Sequence, residues 1–236
     1  MENKSPKILV LRIFNHSKSY DQMYDLHIKN DESLFVTFDD TLPQDVPCVM
    51  DIEKRIIRVP GKESFVPGIM EKTIKSIEFC LREFSDWNIL IRSNISTVIN
   101  MPLITKYFQN RYGDGNYKNI YGGHVWANLG PFPFVSGTSI ILSRDLCQLM
   151  ITNKHLINMS MIDDVSIGHF FTSQNIYPMI DLPLIYPESI NWELYNQKET
   201  KDYFVRFRRN YALSTEERHE DVDTMKTHYD NLVKYK

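Results

Sequence analysis

Two carboxylates stand side by side in Met161-Ile162-Asp163-Asp164-Val165-Ser166-Ile167-Gly168. The apolar spacing after them predicts a helix opening at Asp163-Asp164, where free N–H groups and the helix dipole stabilise anions. Such a carboxylate takes a proton from an alcohol if it faces a cleft; otherwise the pair only caps and lines the first turn. A second segment, Phe134 to Ser143, sets Ser136-Gly137-Thr138-Ser139 where a strand should turn. Small residues there let a ligand approach the backbone, or simply make a tight turn. A third segment, Ile91-Arg92-Ser93-Asn94, closes a predicted strand. Open α/β sheets bind ligands outside the carboxyl ends of their strands, and an arginine there can hold a diphosphate.

Other chemistry is poorly supported. The seven histidines form no HExxH or HxH pair. Gly113-Asp114-Gly115 is no dinucleotide fingerprint, and Cys48, Cys80 and Cys147 read as reduced, mostly buried thiols. Asp39-Asp40 reads as a solvated turn. The stretch Phe204 to Arg209 mixes aromatics with arginines like a nucleic-acid platform. The net charge of −3 and the acidic segment that follows argue against nucleic acid as a partner.

Elements must position these groups. Lys7 to Phe14, Leu34 to Phe38, Ile56 to Val59 and Asn88 to Arg92 are short apolar runs that predict buried parallel strands. Between the last two, apolar residues from Pro67 to Phe84 recur at helical spacing, with Ser64 as a candidate cap. A helix is expected near Met101 to Arg111, then a long glycine-rich loop from Tyr112 to Pro133. Ile140 to Leu142 reads as a strand and Ser143 as the cap of a helix running to about Thr152. Tyr177 to Ile185 is expected to be extended, Tyr203 to Phe207 a late strand and Thr215 to Tyr235 a helix. The central prediction is a mostly parallel sheet with NILIR in its interior. No export signal or stretch of ~18 uncharged apolar residues is seen, so a cytoplasmic protein with no signal peptide and no membrane span is expected.

The order of these segments resembles inverting glycosyltransferases of the GT-A fold, in the superfamily of fringe and the β1,3-galactosyltransferases. Phe65 to Thr73 resembles the family's lysine-threonine helix, and Arg92-Ser93-Asn94 takes the place of its DxD. Ser136 to Ser143 resembles its SGTGYVLS segment, and Asp163 to Gly168 its EDVxxG segment. The match runs from about residue 60 to 170. More loosely, GKESFVPG, RSNIS and YFVRFRR resemble compact glycosyltransferase-like proteins of large DNA viruses, which would place the chain in the host cytoplasm.

The resemblance implies an α/β fold: a GT-A, Rossmann-like, mostly parallel sheet flanked by helices in one domain, 1–236. About 1–100 would be the nucleotide-sugar-binding half and about 101–236 the acceptor and catalytic half. It implies a UDP- or GDP-sugar donor, a glycan or protein acceptor, and transfer with inversion. Asp164 would be the general base and Asp163 a cap or orienting group. Donor-binding residues would be Arg12, Lys72, Arg92, Ser93, Asn94, Ser136, Gly137, Arg206 and Arg208; acceptor-binding residues would be Trp126 and His124. The family neutralises the leaving diphosphate with a divalent metal on DxD. No carboxylate stands in Arg92-Ser93-Asn94, so basic side chains would replace the metal, or the donor site is degenerate and the protein binds nucleotide or glycan without catalysis.

Overall fold

A computed structural model describes residues 5–113, 115–191, 202–209 and 214–234. Asp114 of the GDG triplet and Tyr235 at the end of the expected last helix lie outside the described residues.

The chain alternates strand and helix from its start. The first run folds as β1 (Ile8–Ile13), α1 (Lys18–Asn30), β2 (Leu34–Asp39), β3 (Val49–Asp51), β4 (Ile56–Pro60), α2 (Gly68–Glu83) and β5 (Ile89–Asn94). Strands β4, β2, β1 and β5 lie side by side and parallel, so NILIR sits inside the sheet as expected. After β6 (Thr97–Ile99) and α3 (Met101–Arg111) come β7 (Tyr121–Gly123), β8 (Val125–Trp126), β9 (Phe134–Val135) and β10 (Ile140–Ser143). Strand β10 pairs antiparallel with β5, Ile140 opposite Arg92, and β7 adds beyond it. The chain ends with α4 (Arg144–Thr152), α5 (Asp163–Ser173), β11 (Ile180–Asp181), β12 (Leu184–Ile185), β13 (Phe204–Arg206) and α6 (His219–Lys234). The main sheet has eight strands in the order β11-β7-β10-β5-β1-β2-β4-β3. A small sheet β12-β13-β6 and the hairpin β8-β9 complete the fold.

Side chains alternate across the strands, so the sheet has two buried faces. Leu11, Val36 and Leu90 pack on one face against Met70 and Ile77 of α2 and Phe170 of α5. Val10, Ile89 and Ile91 meet Ile104 and Phe108 of α3 on the other, with Phe35 and Met23 of α1 further along that side. Among the described residues no helix is long and apolar enough to cross a membrane.

The structure departs from the sequence reading at several points. Helix α1 was not expected: only Ser19, Met23 and His27 are buried along it, too thin a stripe to show as periodicity. Strand β7 lies inside the expected loop, because Tyr-Gly-Gly carries no apolar alternation. Its glycines are needed there, since a Cβ on Gly122 would stand 2.5 Å from Ile180 Cβ and one on Gly123 1.8 Å from Ser139 O. Ser143 stands at the start of α4 without capping it; its hydroxyl accepts from the Ile120 amide at 2.9 Å. Ser64, by contrast, does accept from the Gly68 amide at 3.0 Å and so serves the first turn of α2.

Candidate functional site

Helix α5 begins at Asp163, so Asp163 and Asp164 are its first two residues; the cap position is Ile162, which has no capping side chain. Asp163 is therefore not the helix cap. It forms an ion pair with Arg92, Oδ2 to Nη2 at 2.5 Å, with Arg92 2% exposed. Arg92 reaches α5 because it shares a sheet face with Leu90, the face covered by α2 and α5. Its Nη1 donates to the carbonyl of Gly137. The amide of the same glycine donates to Asp164 Oδ2 at 3.0 Å, and Asp164 Oδ1 accepts from Val165 N at 2.9 Å. Arg92, Gly137, Asp164 and Asp163 thus close a ring through a single glycine residue. Ser93 Oγ donates to Thr138 O at 2.6 Å, so two consecutive β5 residues hold the turn.

The turn is built tightly. Ser139 N donates to Ser136 O at 2.9 Å, and the hydroxyls of Ser136 and Thr138 bond at 2.9 Å. A Cβ on Gly137 would lie 3.0 Å from Arg92 Nη1, 3.5 Å from Asp164 Oδ2 and 3.6 Å from Asp163 Oδ2. One on Gly168 would lie 2.4 Å from Phe134 Cβ, so the glycine of the DDVSIG segment lets α5 settle on β9.

Burial and the neighbouring charge of Asp163 raise the pKa of Asp164, against the opposing pull of the Gly137 amide and Arg92. The guanidinium is paired with Asp163 rather than with Asp164. A carboxylate so placed is suited to accept a proton.

Lys72 of α2 lies near this ring, within electrostatic range of Arg92 and Asp163. Its buried ammonium donates to Phe14 O at 2.7 Å and to both oxygens of Glu63 at 2.9 and 2.7 Å. Burial lowers its pKa while Glu63 opposes the shift. Glu63 was missed from sequence. It sits on the loop between β4 and α2, and only the fold brings it to the carboxyl ends of β1 and β2.

Asn94 and Arg206 meet at the end of β5. Arg206 Nη1 donates to Asn94 Oδ1 and lies 3.2 Å from Thr97 Oγ1, because β13 pairs with β6. Arg208 follows, half-buried, just beyond β13. Arg12 does not join these groups. It is 1% exposed and points to the opposite sheet face, where it donates to Ser33 Oγ at 2.9 Å, Thr97 O and Asp31 Oδ2 at 2.9 Å. Its three nitrogens tie α1 and β6 to the sheet, so it holds the fold.

His124 and Trp126 flank the turn. Ser136 N donates to His124 O at 2.8 Å, and the His124 amide donates to Ser139 Oγ at 2.9 Å. The His124 ring meets the indole of Trp126 edge-on at 4.9 Å, and Trp126 is 38% exposed. An exposed aromatic face therefore stands on the hairpin that leads into the turn.

The residues at the DxD position do not fit a divalent cation. Arg92 is a cation, Ser93 Oγ is spent on Thr138 O, and Asn94 Oδ1 is occupied by Arg206 and by Thr97 Oγ1 at 3.0 Å. Hard divalent ions need oxygen anions, and none is offered there. On the other side of the strand ends, a cleft of about 620 Å³ is lined by residues that include His16, Tyr24, Thr37, Phe38, Asp39 and Arg58. Asp39 is not idle in it: Thr41 and Arg58 hold its carboxylate and lower its pKa.

No protein-family model matches the chain, and neither does any curated protein. Among solved structures, a glycosyltransferase involved in the glycosylation of the major capsid of PBCV-1 matches with a TM-score of 0.54. The match covers 94% of this chain and 100% of that one at 12% identity. The chain has a GT-A-like fold. On that fold the order of strands reverses between β1 and β5, and the carboxyl ends of these strands are where a doubly wound sheet binds its ligand.

Proposed function

We propose that this protein is a glycosyltransferase that moves a sugar from a nucleotide-sugar to an acceptor hydroxyl, with inversion and with Asp164 as general base. The observation that carries the reading is the ring Arg92–Gly137–Asp164–Asp163 on a GT-A-like fold. It fixes one carboxylate at a helix N-terminus, beside a buried ion pair and near the strand ends. The site residues support the reading by their geometry, and the fold supports it by likeness.

In this reading the acceptor hydroxyl gives its proton to the Asp164 carboxylate as its oxygen attacks the anomeric carbon. The bond from that carbon to the diphosphate breaks on the opposite face, and the nucleoside diphosphate leaves. A positioned base contributes about 10²- to 10⁴-fold. Asp163 stays paired to Arg92 and keeps the turn in register. The diphosphate charge is met at the strand ends by Arg206 with Arg208 beyond it, because Arg92 is committed to Asp163 and Gly137, and the buried Lys72 to Glu63 and Phe14 O. Ser93, Asn94, Ser136 and Gly137 shape the donor side. His124 and Trp126 present the acceptor side, where an aromatic face can pack on the apolar face of a sugar. Donor contacts then come from both halves of the chain, and the acceptor contacts from about residues 101–236. The donor is a UDP- or GDP-sugar and the acceptor a glycan or protein.

Thermal melts with UDP, GDP and their sugars, with and without Mn²⁺, test the donor class, since a ligand that binds only the folded state raises its apparent stability. The expected result is a rise with one nucleotide series that does not depend on Mn²⁺. Product analysis with the stabilising donor then separates transfer from silent binding; binding with neither transfer nor donor hydrolysis would assign a catalytically silent nucleotide-binding protein.

A further inference from the structure

We propose that Glu63 is the acceptor for the ribose hydroxyls of the donor, and so sets selectivity for ribonucleotides. The inference rests on the nucleotide-sugar reading above. Glu63 leaves the loop after β4 and carries its carboxylate to the carboxyl ends of β1 and β2. There Lys72 Nζ holds both its oxygens at 2.9 and 2.7 Å while donating to Phe14 O, the residue after β1. At β2 its Oε1 lies 3.3 Å from the Phe38 amide and 3.5 Å from Thr37 Oγ1.

Lys72 is buried, yet the Glu63 side chain is 39% exposed, so the pair presents its anionic member outward. Thr37 and Phe38, which it touches, also line the 620 Å³ cleft. An ionised carboxylate only accepts, with about four lone-pair positions. Oε1 has three neighbouring donors, whereas Oε2 has Lys72 alone among the described residues. A ligand group that takes the place of water there donates and is not anionic, which excludes the diphosphate and fits the ribose hydroxyls. In doubly wound nucleotide-binding sheets an acidic side chain near the second strand bonds the ribose hydroxyls. Here the loop after β4 delivers that carboxylate to the end of β2.

The test is titration calorimetry of the full chain with UDP and GDP against their 2′,3′-dideoxy counterparts. Wild type is expected to bind the ribonucleotide of its preferred base about 10- to 100-fold tighter, the scale of a hydrogen bond to a charged group. In Glu63→Ala that ratio should fall to within about twofold of one. Loss of the Lys72 partner weakens both ligands alike and leaves the ratio standing, so the ratio isolates the ribose contact. Equal weakening of both ligands in the variant overturns the proposal while the nucleotide-sugar reading stands; so does a wild type that fails to discriminate them. A wild type that binds neither UDP nor GDP overturns the reading and the proposal together. If Glu63→Ala fails to fold, Glu63→Gln answers the same question, and an undiminished ratio in it overturns the proposal.

Discussion

Arg92 and Gly137, forty-five positions apart, are joined by a hydrogen bond from the guanidinium to the glycine carbonyl. The same glycine gives its amide to Asp164. One glycine residue therefore transmits the position of a β5 side chain to a carboxylate on α5, and three segments that are unremarkable alone become one site.

Gly137→Ala tests that relay. Its Cβ would press on Arg92 Nη1 at 3.0 Å, inside ordinary contact distance. The expected cost is about 1–3 kcal/mol, the usual range for overpacking, read as a lower urea midpoint, together with a loss of transfer. Unchanged stability and unchanged transfer would show that the turn has slack.

Arg92→Ala should cost about 3–5 kcal/mol, because it strands a buried carboxylate. Adding Asp163→Ala removes that stranded charge. The double variant should therefore be more stable than Arg92→Ala alone in urea unfolding. Additive losses would mean that the ion pair is not coupled in solution.

The raised pKa of Asp164 carries a sign for stability. Its folded-state value lies above the unfolded one, so the folded chain binds more protons between the two. Ionisation of Asp164 thus lowers stability as pH rises from about 3.9, the ordinary aspartate value, through the raised value. Asp164→Asn should be more stable than wild type at neutral pH, and the gain should vanish below about pH 3.9. Chemical denaturation across pH reads this directly; a variant no more stable at pH 7 would refute it.

Arg12→Ala separates holding the fold from holding the donor. Loss of the Asp31 pair should cost about 3–5 kcal/mol. Nucleotide affinity of the protein that remains folded should stay within about twofold, measured by calorimetry below the unfolding transition. A selective loss of affinity with little loss of stability would return Arg12 to the donor site.

Much of this architecture was legible in the sequence because it rests on runs of one kind. The β1, β2, β4 and β5 segments are nearly unbroken apolar stretches, and α2 carries a full apolar stripe, so their type and order could be read. Asp163, Asp164, Gly137 and Arg92 were legible as candidates from their place at predicted element ends. Their partners were not. Whether Arg92 faces a diphosphate or Asp163 depends on which sheet face it shares with Leu90, and on where α5 lands. Glu63 had no local signal, since the strand ends that it serves lie twenty-five or more residues away in sequence. Arg12 entered the expected donor set through the resemblance alone, with no local signal of its own. Its partners Asp31 and Thr97 come from a helix end and a strand that show no periodic pattern.

The central claim is that Asp164 removes the acceptor proton. Product formation by Asp164→Asn, measured with saturating donor, tests it most directly. The account predicts a fall of about 10²- to 10⁴-fold with donor affinity little changed, while Asp163→Asn, in the fraction that folds, keeps more activity than Asp164→Asn. Full transfer by Asp164→Asn, or an essential Asp163 beside a dispensable Asp164, would contradict it.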